Sequence, residues 1–205
     1  MTVHQALAAG ITDGHAGLAR ATWHDTGVDD RALVDAVLDG DRDAFRLLVE
    51  REQRVVYRAC LRILGRPHDA EDVAQEAFVM AYRSIASYRG DGPLGGWLLR
   101  IATRQAFRRL RQRRETSELG SALVLNAPGA DPLAAALADE RQRAVRLAVA
   151  SLGEPYREVV ALRFFGEMSL DEIAATTHRP VNTVKTHLRR GLERLRPVLG
   201  AEAVA

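Results

Sequence analysis

Polar and basic side chains gather near the end of the chain, in the stretch SLDEIAATTHRPVNTVKTHLRRGLERLR at residues 169–196. At about 100° per residue, one side of a helix there would carry Asn182, Lys185, Thr186, Arg189 and Arg190. Amide, hydroxyl and cationic groups hydrogen bond to base edges and phosphates, and one α-helix fits the major groove of DNA. The pattern therefore indicates DNA contact, although the solvated face of an ordinary amphipathic helix would also explain it.

The residues around this face predict two helices joined by a tight turn. Ser169 and Glu172 match the S-x-x-E capping box, which marks the start of a short helix. His178 tolerates a left-handed turn better than most residues other than glycine, and Pro180 suits the start of the next helix. The inner side of that helix would consist of Val184, Leu188, Gly191 and Leu195. The pattern is typical of a helix-turn-helix, with a solvated helical hairpin as the alternative.

A second group of cations lies on the predicted helix 94–114. Its members fall within about 80° of one another on a helical wheel: Arg100, Arg104, Arg108 and Arg111. Like charges on one stripe repel one another, and a polyanion removes that cost. Trp97 and Phe107 border the stripe, and aromatic rings can stack on or wedge between bases. The stripe therefore indicates contact with opened nucleic acid, with a core tryptophan beside solvated arginines as the alternative.

A third face has the opposite character. The outer side of the predicted helix 69–87 carries Asp72, Gln75, Glu76, Val79 and Arg83. DNA would repel the acidic residues, so this face indicates a protein partner that presents basic residues. An ordinary solvated face explains the same residues equally well.

Helical patterns position all three faces, and no segment predicts a convincing strand. We therefore expect an all-α fold of two small helical domains joined by a flexible linker, with the helix-turn-helix in the C-terminal domain. The expected parts are a mobile tail at 1–28, a first domain at 29–114, a linker at 115–138 and a second domain at 139–200. Within the first domain, Asp29 or Asp30 is expected to cap the first helix, and Asp69 the third.

Composition excludes several classes of protein. The 205 residues carry a net charge of only +2, with Lys185 the single lysine among 29 basic residues, so clustering rather than total charge indicates nucleic acid. Cys60 is the only cysteine, which excludes an internal disulfide and argues against a thiolate zinc site. Without a recognisable nucleophile–base pair, phosphate loop or metal-ligand spacing, we expect neither an enzyme nor a cofactor. No apolar run approaches the roughly 20 residues that span a bilayer, so we expect a cytoplasmic protein without membrane insertion.

Three motifs in order resemble one family. The segment DAEDVAQEAF at 69–78 is similar to the polymerase-binding signature of the extracytoplasmic-function sigma factors of bacterial RNA polymerase. The segment YRGDGPLGGWLLRIA resembles their promoter-melting segment, and residues 152–196 resemble their C-terminal DNA-reading domain. The resemblance covers about 30–114 and 139–197. It implies a sigma region 2 domain followed by a sigma region 4 domain.

The resemblance also implies roles for the three faces. The polymerase's largest subunit would bind Asp72, Gln75, Glu76 and Val79. The minus-ten element would be opened and held by Tyr88, Arg89, Trp97, Arg100, Arg104, Arg108 and Arg111. The C-terminal helix would read the minus-thirty-five element through Asn182, Lys185, Thr186, Arg189 and Arg190. The implied partners are core RNA polymerase and promoter DNA. The class often uses an anti-sigma protein, whose existence here the sequence does not reveal.

Several positions depart from the family pattern. Leu94 stands where relatives carry an aromatic residue, Arg104 where they carry Asn, and Arg108 where they carry an acid. These positions lie in the minus-ten reader that the resemblance implies, so the resemblance does not define the base preference there. The competing interpretation is a stand-alone helix-turn-helix regulator that binds duplex DNA as a dimer. It accounts for residues 169–196 but leaves the acidic face and the region of Trp97 without a use.

Overall fold

The computed structural model describes residues 29–117 and 132–199, and within these ranges the fold is all-helical with no strand. Its elements are α1 Asp30–Leu38, α2 Arg42–Leu64, α3 Pro67–Ser84, a 3-10 turn Ile85–Ser87, α4 Leu94–Ser117, α5 Pro132–Ser151, α6 Tyr156–Phe164, α7 Leu170–Thr177 and α8 Val181–Leu199. The all-α prediction is confirmed. The predicted tail 1–28 and residues 118–131 of the predicted linker lie outside the described residues. Among the described helices, none is both long and apolar enough to cross a membrane.

Local chemistry explains where the first helices begin and end. The Asp29 carboxylate caps α1 by accepting from the backbone N–H of Arg31 at 3.0 Å, as expected. Gly65 ends α2 with a φ of 69°, a conformation that favours glycine. The prediction that Asp69 caps α3 is wrong, because the helix begins at Pro67, whose fixed φ and missing N–H suit the first helical position. Asp69 lies in the first turn instead.

The first domain is a bundle of α2, α3 and α4 around one core. Small side chains on α3, among them Ala70 and Ala77, let the helices approach closely. Larger core residues such as Ile63 and Leu98 fill the space between the helices. A second cluster joins α1 to the far end of the bundle through Leu33, Val34, Val37, Ala44, Leu48, Ile85, Tyr88 and Leu94.

The second domain contains the predicted helix-turn-helix. The Ser169 hydroxyl accepts from the backbone N–H of Glu172, whose carboxylate accepts from the N–H of Ser169, so the capping box is complete. His178 ends α7 in the left-handed conformation, with φ 55° and ψ 42°. In α8, Val184 is fully buried, and a Cβ on Gly191 would lie 2.8 Å from Cγ2 of Val160. The inner side of α8 therefore has the predicted orientation.

The two domains pack directly against each other. Phe107 of α4 meets Phe165, just after α6, edge to face with ring centroids 5.6 Å apart. At the start of α4, a Cβ on Gly96 would lie 2.6 Å from Oγ1 of Thr176, so the helices approach too closely for any side chain there. Buried residues of both domains form one continuous cluster. The pattern of the sequence contained no indication of this contact.

Candidate nucleic-acid interfaces

The predicted reading side chains of α8 lie together on its outer face. Asn182, Lys185, Arg189 and Arg190 are exposed, and Thr186 is half-buried. The Thr186 hydroxyl donates to the carbonyl oxygen of Asn182 at 2.9 Å, and Arg189 forms an ion pair with Glu193 one turn later. All of these residues point away from the buried Val184. The face therefore offers cations and polar groups near the helix N-terminus, where a groove-bound helix reaches bases best.

Aromatic contacts hold α8 against α6. The rings of Tyr156 and His187 meet edge to face at 5.7 Å, and the guanidinium carbon of Arg194 lies 4.1 Å from the centre of the Tyr156 ring. Burial lowers the pKa of His187, and the charges of Arg179 and Arg190 lower it further. His187 is therefore neutral at physiological pH and acts as a packing residue.

The contact between the domains engages one end of the arginine stripe of α4 and leaves the other end exposed. The Glu158 carboxylate, 3% exposed, accepts from Arg100 Nε at 2.7 Å, from Arg104 Nη2 at 2.9 Å and from Arg179 Nη1 at 2.7 Å. Burial by itself would raise the pKa of Glu158, but the hydrogen bonds from Arg100 and Arg179 outweigh it and the pKa lies below its usual value. Arg108 is exposed at the other end of the stripe, as is Arg111.

The aromatic residues beside the stripe differ in accessibility. Trp97 is half-buried and meets Tyr88 edge to face, with ring centroids 6.0 Å apart. Phe107 is only 2% exposed and packs on Phe165, so it is a core residue. The prediction that Phe107 borders a nucleic-acid surface is therefore wrong in this arrangement. A helical wheel gives the direction of a side chain but not what packs on it.

The loop before α4 is tied down at its ends, and at its tip Oδ2 of Asp91 lies 3.2 Å from Nδ1 of His178 in the other domain. Tyr88 is buried, and its hydroxyl donates to the carbonyl oxygen of Gly92 at 2.6 Å. Burial, followed by the charge of Asp30, raises the pKa of Tyr88 to about 12. Arg89 is exposed, and Gly90 has a φ of 80°, which suits glycine in a sharp turn. Of the two residues of this loop that were predicted to contact DNA, Tyr88 is buried and Arg89 is accessible to solvent.

The outer face of α3 combines acids with exposed apolar side chains. Val79 is 50% exposed, and two further apolar residues, Met80 and Tyr82, are exposed beside it. The Glu76 carboxylate accepts from Arg109 at 2.9 Å, while Asp72 lies 3.2 Å from Nδ1 of His68. The predicted residues Asp72, Gln75, Glu76 and Val79 thus share one accessible face. The sequence interpretation overlooked Met80 and Tyr82, although both follow closely on Val79.

The sequence interpretation gave Glu158 no role and treated Asp30 only as a candidate cap of α1. Glu158 collects cations from residues 54 and 58 positions away, and Asp30 contacts Leu94 across 64 positions. Neither contact belongs to a local motif, so no spacing could have indicated it.

Family models match both domains. Residues 48–116 match Sigma-70 region 2, and residues 142–195 match Sigma-70 region 4. The chain is 35% identical over 176 residues to the ECF RNA polymerase sigma factor SigW of Bacillus subtilis, covering 81% of this chain and 94% of that one. It is 36% identical over 177 residues to the ECF RNA polymerase sigma-E factor of Escherichia coli, covering 80% of this chain and 91% of that one.

A solved structure has a similar fold. It is the complex of CnrH with the cytosolic domain of CnrY, at a TM-score of 0.54 and 25% sequence identity. The match covers 84% of this chain and 98% of that one. The similarity therefore extends over both domains rather than over the helix-turn-helix alone.

Proposed function

The chain belongs to the extracytoplasmic-function class of RNA polymerase sigma factors, and from this premise we propose how its three faces divide promoter recognition. As a sigma factor it binds core RNA polymerase and directs promoter-specific initiation. A stand-alone regulator is disfavoured, because region 2 and region 4 occur together and in order.

The outer face of α3 binds the polymerase in this proposal. Its contact residues are Asp72, Gln75, Glu76 and Val79. Support comes from the exposed Val79 flanked by carboxylates, since interfaces combine an apolar centre with charges that select the partner. The acids are held in place by Arg109 and His68, which reduces the entropy lost on binding.

The loop 88–93 and α4 open the minus-ten element. The proposed contacts are Tyr88, Arg89, Trp97, Arg100, Arg104, Arg108 and Arg111. Exposed cations beside a half-buried tryptophan support this role, because single strands are bound by stacking and by charge. Arg104 and Arg108 replace residues usual in the family, so we propose a minus-ten preference distinct from that of typical relatives.

The helix α8 reads the minus-thirty-five element from the major groove. Lys185, Thr186 and Arg189 are proposed to contact base edges, with Asn182 and Arg190 nearer to the backbone. The support is their common exposed face near the start of α8, opposite its buried side.

The proposal extends to location and regulation. The chain contributes no catalytic group, since RNA synthesis is performed by the polymerase, and it acts in the cytoplasm where the polymerase is. CnrH is solved in complex with the cytosolic domain of CnrY, and an anti-sigma protein of comparable kind is proposed for this chain.

The observation that carries the proposal is the combination of a mixed acidic and apolar α3 face with a basic, exposed α8 face in one chain. In the test, the purified protein is added to core polymerase, and the transcripts made from a library of genomic fragments are sequenced. Discrete start sites that require both components are expected. Binding of duplex DNA as a dimer, with no new start sites, would instead identify a stand-alone regulator.

A further inference from the structure

The first helix supplies a carboxylate to the start of α4. Oδ2 of Asp30 accepts from the backbone N–H of Leu94 at 2.7 Å. Leu94 is the first residue of α4, and its N–H is one of those that a helix cannot satisfy internally. A helix is normally capped by the residue just before it, but Pro93 has no side-chain acceptor. Asp30 therefore takes the role of a cap from 64 residues upstream.

A second contact fixes the orientation of this carboxylate. Oδ1 of Asp30 accepts from Nη2 of Arg51 at 2.7 Å, and Nε of Arg51 donates to Glu52 at 2.8 Å. The side chain of Arg51 is 14% exposed and that of Glu52 is 5% exposed. A partly buried, charge-assisted pair of this kind holds one rotamer more firmly than a surface pair does. Arg51 thus directs the other oxygen of Asp30 towards α4.

Apolar packing reinforces the same junction. Leu33 and Val34 of α1 belong to one buried cluster with Tyr88, the first residue of the loop 88–93, and with Leu94, the first residue of α4. The loop closes on itself through the hydrogen bond from the Tyr88 hydroxyl to Gly92. The two ends of the loop are therefore fixed from α1, while Asp91 at its tip is partly exposed and contacts only His178 of the other domain among the ion pairs of the described residues.

We infer that Asp30 is a positioning residue for promoter opening. By capping α4 and contacting Arg51, it holds the loop 88–93 and Trp97 in the geometry that captures an unpaired strand. The inference rests on the proposed role of that loop. Asp30 lies upstream of residue 48, where the region 2 match begins, so the matched region is positioned by a residue outside it.

The test uses holoenzyme reconstituted from core polymerase and the full chain, with a promoter fragment selected by the wild-type holoenzyme. Asp30→Ala should slow strand opening, measured by permanganate reactivity of thymines, by about tenfold, which is the factor that corresponds to the typical loss of a helix cap. Affinity for the closed duplex should be unchanged. Asp30→Asn should restore part of the opening rate, because its one oxygen can accept from the Leu94 N–H while its NH2 group cannot accept from Arg51.

Two comparisons separate positioning from general destabilisation. Asp41→Ala removes the local cap of α2, a similar helix-cap loss without contact to α4, and should open promoters at the wild-type rate. A template with a pre-opened minus-ten bubble should restore transcription by Asp30→Ala. The inference is overturned if Asp30→Ala opens normally, if it loses duplex affinity equally, or if Asp41→Ala shows the same defect. Failure of the wild type to make specific transcripts would instead reject the proposed function.

Discussion

The residues of α8 differ in what they can reach, although they share one face. Arg189 is exposed near the middle of the reading face and is held by Glu193, so it can exchange this ion pair for a base edge. Arg190 lies one position further round the helix and faces the edge of the same surface. A guanidinium on a base edge discriminates between sequences, whereas one on phosphate does not.

Arg189→Ala should change which minus-thirty-five sequences are used, with a loss of about 1–3 kcal/mol of discrimination at one position. Arg190→Ala should weaken binding to all sequences alike and reduce the slope of log affinity against log salt concentration by about 1. Selection from randomised promoters, followed by salt titration, measures both effects. Arg196→Ala, two turns later on the same side of α8, is the matched control. If the minus-thirty-five preference is unchanged in Lys185→Ala, Thr186→Ala and Arg189→Ala alike, the outer face of α8 is a solvated helix face and does not read bases.

At the scale of elements, α3 has an accessible outer face, which we propose binds the polymerase, while its other side forms part of the core of the first domain. The double variant Asp72→Arg with Glu76→Arg should weaken association with core polymerase by about tenfold or more, equivalent to ~1.4 kcal/mol. The reason is that reversed charge opposes a basic partner surface. Pull-down titration measures the affinity, and circular dichroism should report unchanged helicity.

Glu71→Arg is the control for this variant. Glu71 is exposed on the same helix but about 100° around it from Asp72. Equal loss of affinity in the control, or wild-type affinity in the double variant, would show that this face is not the interface.

The stripe of α4 can be tested in the same way. Arg104→Ala and Arg108→Ala should each reduce strand opening more than duplex binding, because an opened strand gains contacts with α4 that the closed duplex lacks. Permanganate footprinting measures the opening and gel-shift titration the duplex affinity. Arg54→Ala, an exposed arginine on α2, removes the same charge elsewhere and should change neither. Equal losses of opening and duplex affinity would contradict the single-strand role.

At the scale of the whole molecule, the packing of the two domains engages part of the arginine stripe that we propose binds DNA. Arg100 Nε and Arg104 Nη2 donate to Glu158 of the other domain, so this carboxylate competes with phosphate for the two guanidinium groups. If these arginines contact the opened minus-ten strand as proposed, the DNA has to compete with Glu158 for them.

Glu158→Gln should increase the affinity of the isolated protein for a single-stranded minus-ten oligonucleotide by about fivefold, equivalent to ~1 kcal/mol. The neutral amide competes less well for Arg100 and Arg104. Fluorescence anisotropy measures the affinity. Glu167→Gln is the control, because Glu167 pairs across the domains with Arg62 and not with the stripe. Wild-type affinity in Glu158→Gln would show that Glu158 does not compete with DNA.

The same carboxylate makes stability depend on pH. Because the folded pKa of Glu158 lies below its ordinary value of 4.5, its contribution is present above pH 4.5 and is lost as the pH falls through the folded pKa. Wild type should therefore lose more free energy of unfolding than Glu158→Gln does as the pH falls below 4.5. Denaturant titrations on both sides of that pH measure the difference, and parallel losses in the two proteins would contradict the prediction.

The features that the sequence determined by itself are local. The capping box at Ser169, the left-handed His178 and the outer face of α8 depend on residues within one or two turns, where helical periodicity and backbone chemistry suffice. Local prediction fails even at short range at the start of α3. Asp69 could cap a helix and Pro67 suits the first helical position, and the helix begins at Pro67.

The tertiary structure alone decided which groups meet across long stretches of chain. Glu158 is an ordinary acid in the pattern of α6, and Asp30 is one of two adjacent candidates for the cap of α1. Their partners on α4 lie more than 50 positions away along the chain. Periodicity defines the direction of a side chain without defining the surface opposite it. Such long-range contacts bury Phe107, pair part of the arginine stripe with Glu158 and cap α4. The sequence pattern does not predict them, because packing between elements depends on the shapes of the surfaces that meet and not on the spacing of residues along one helix.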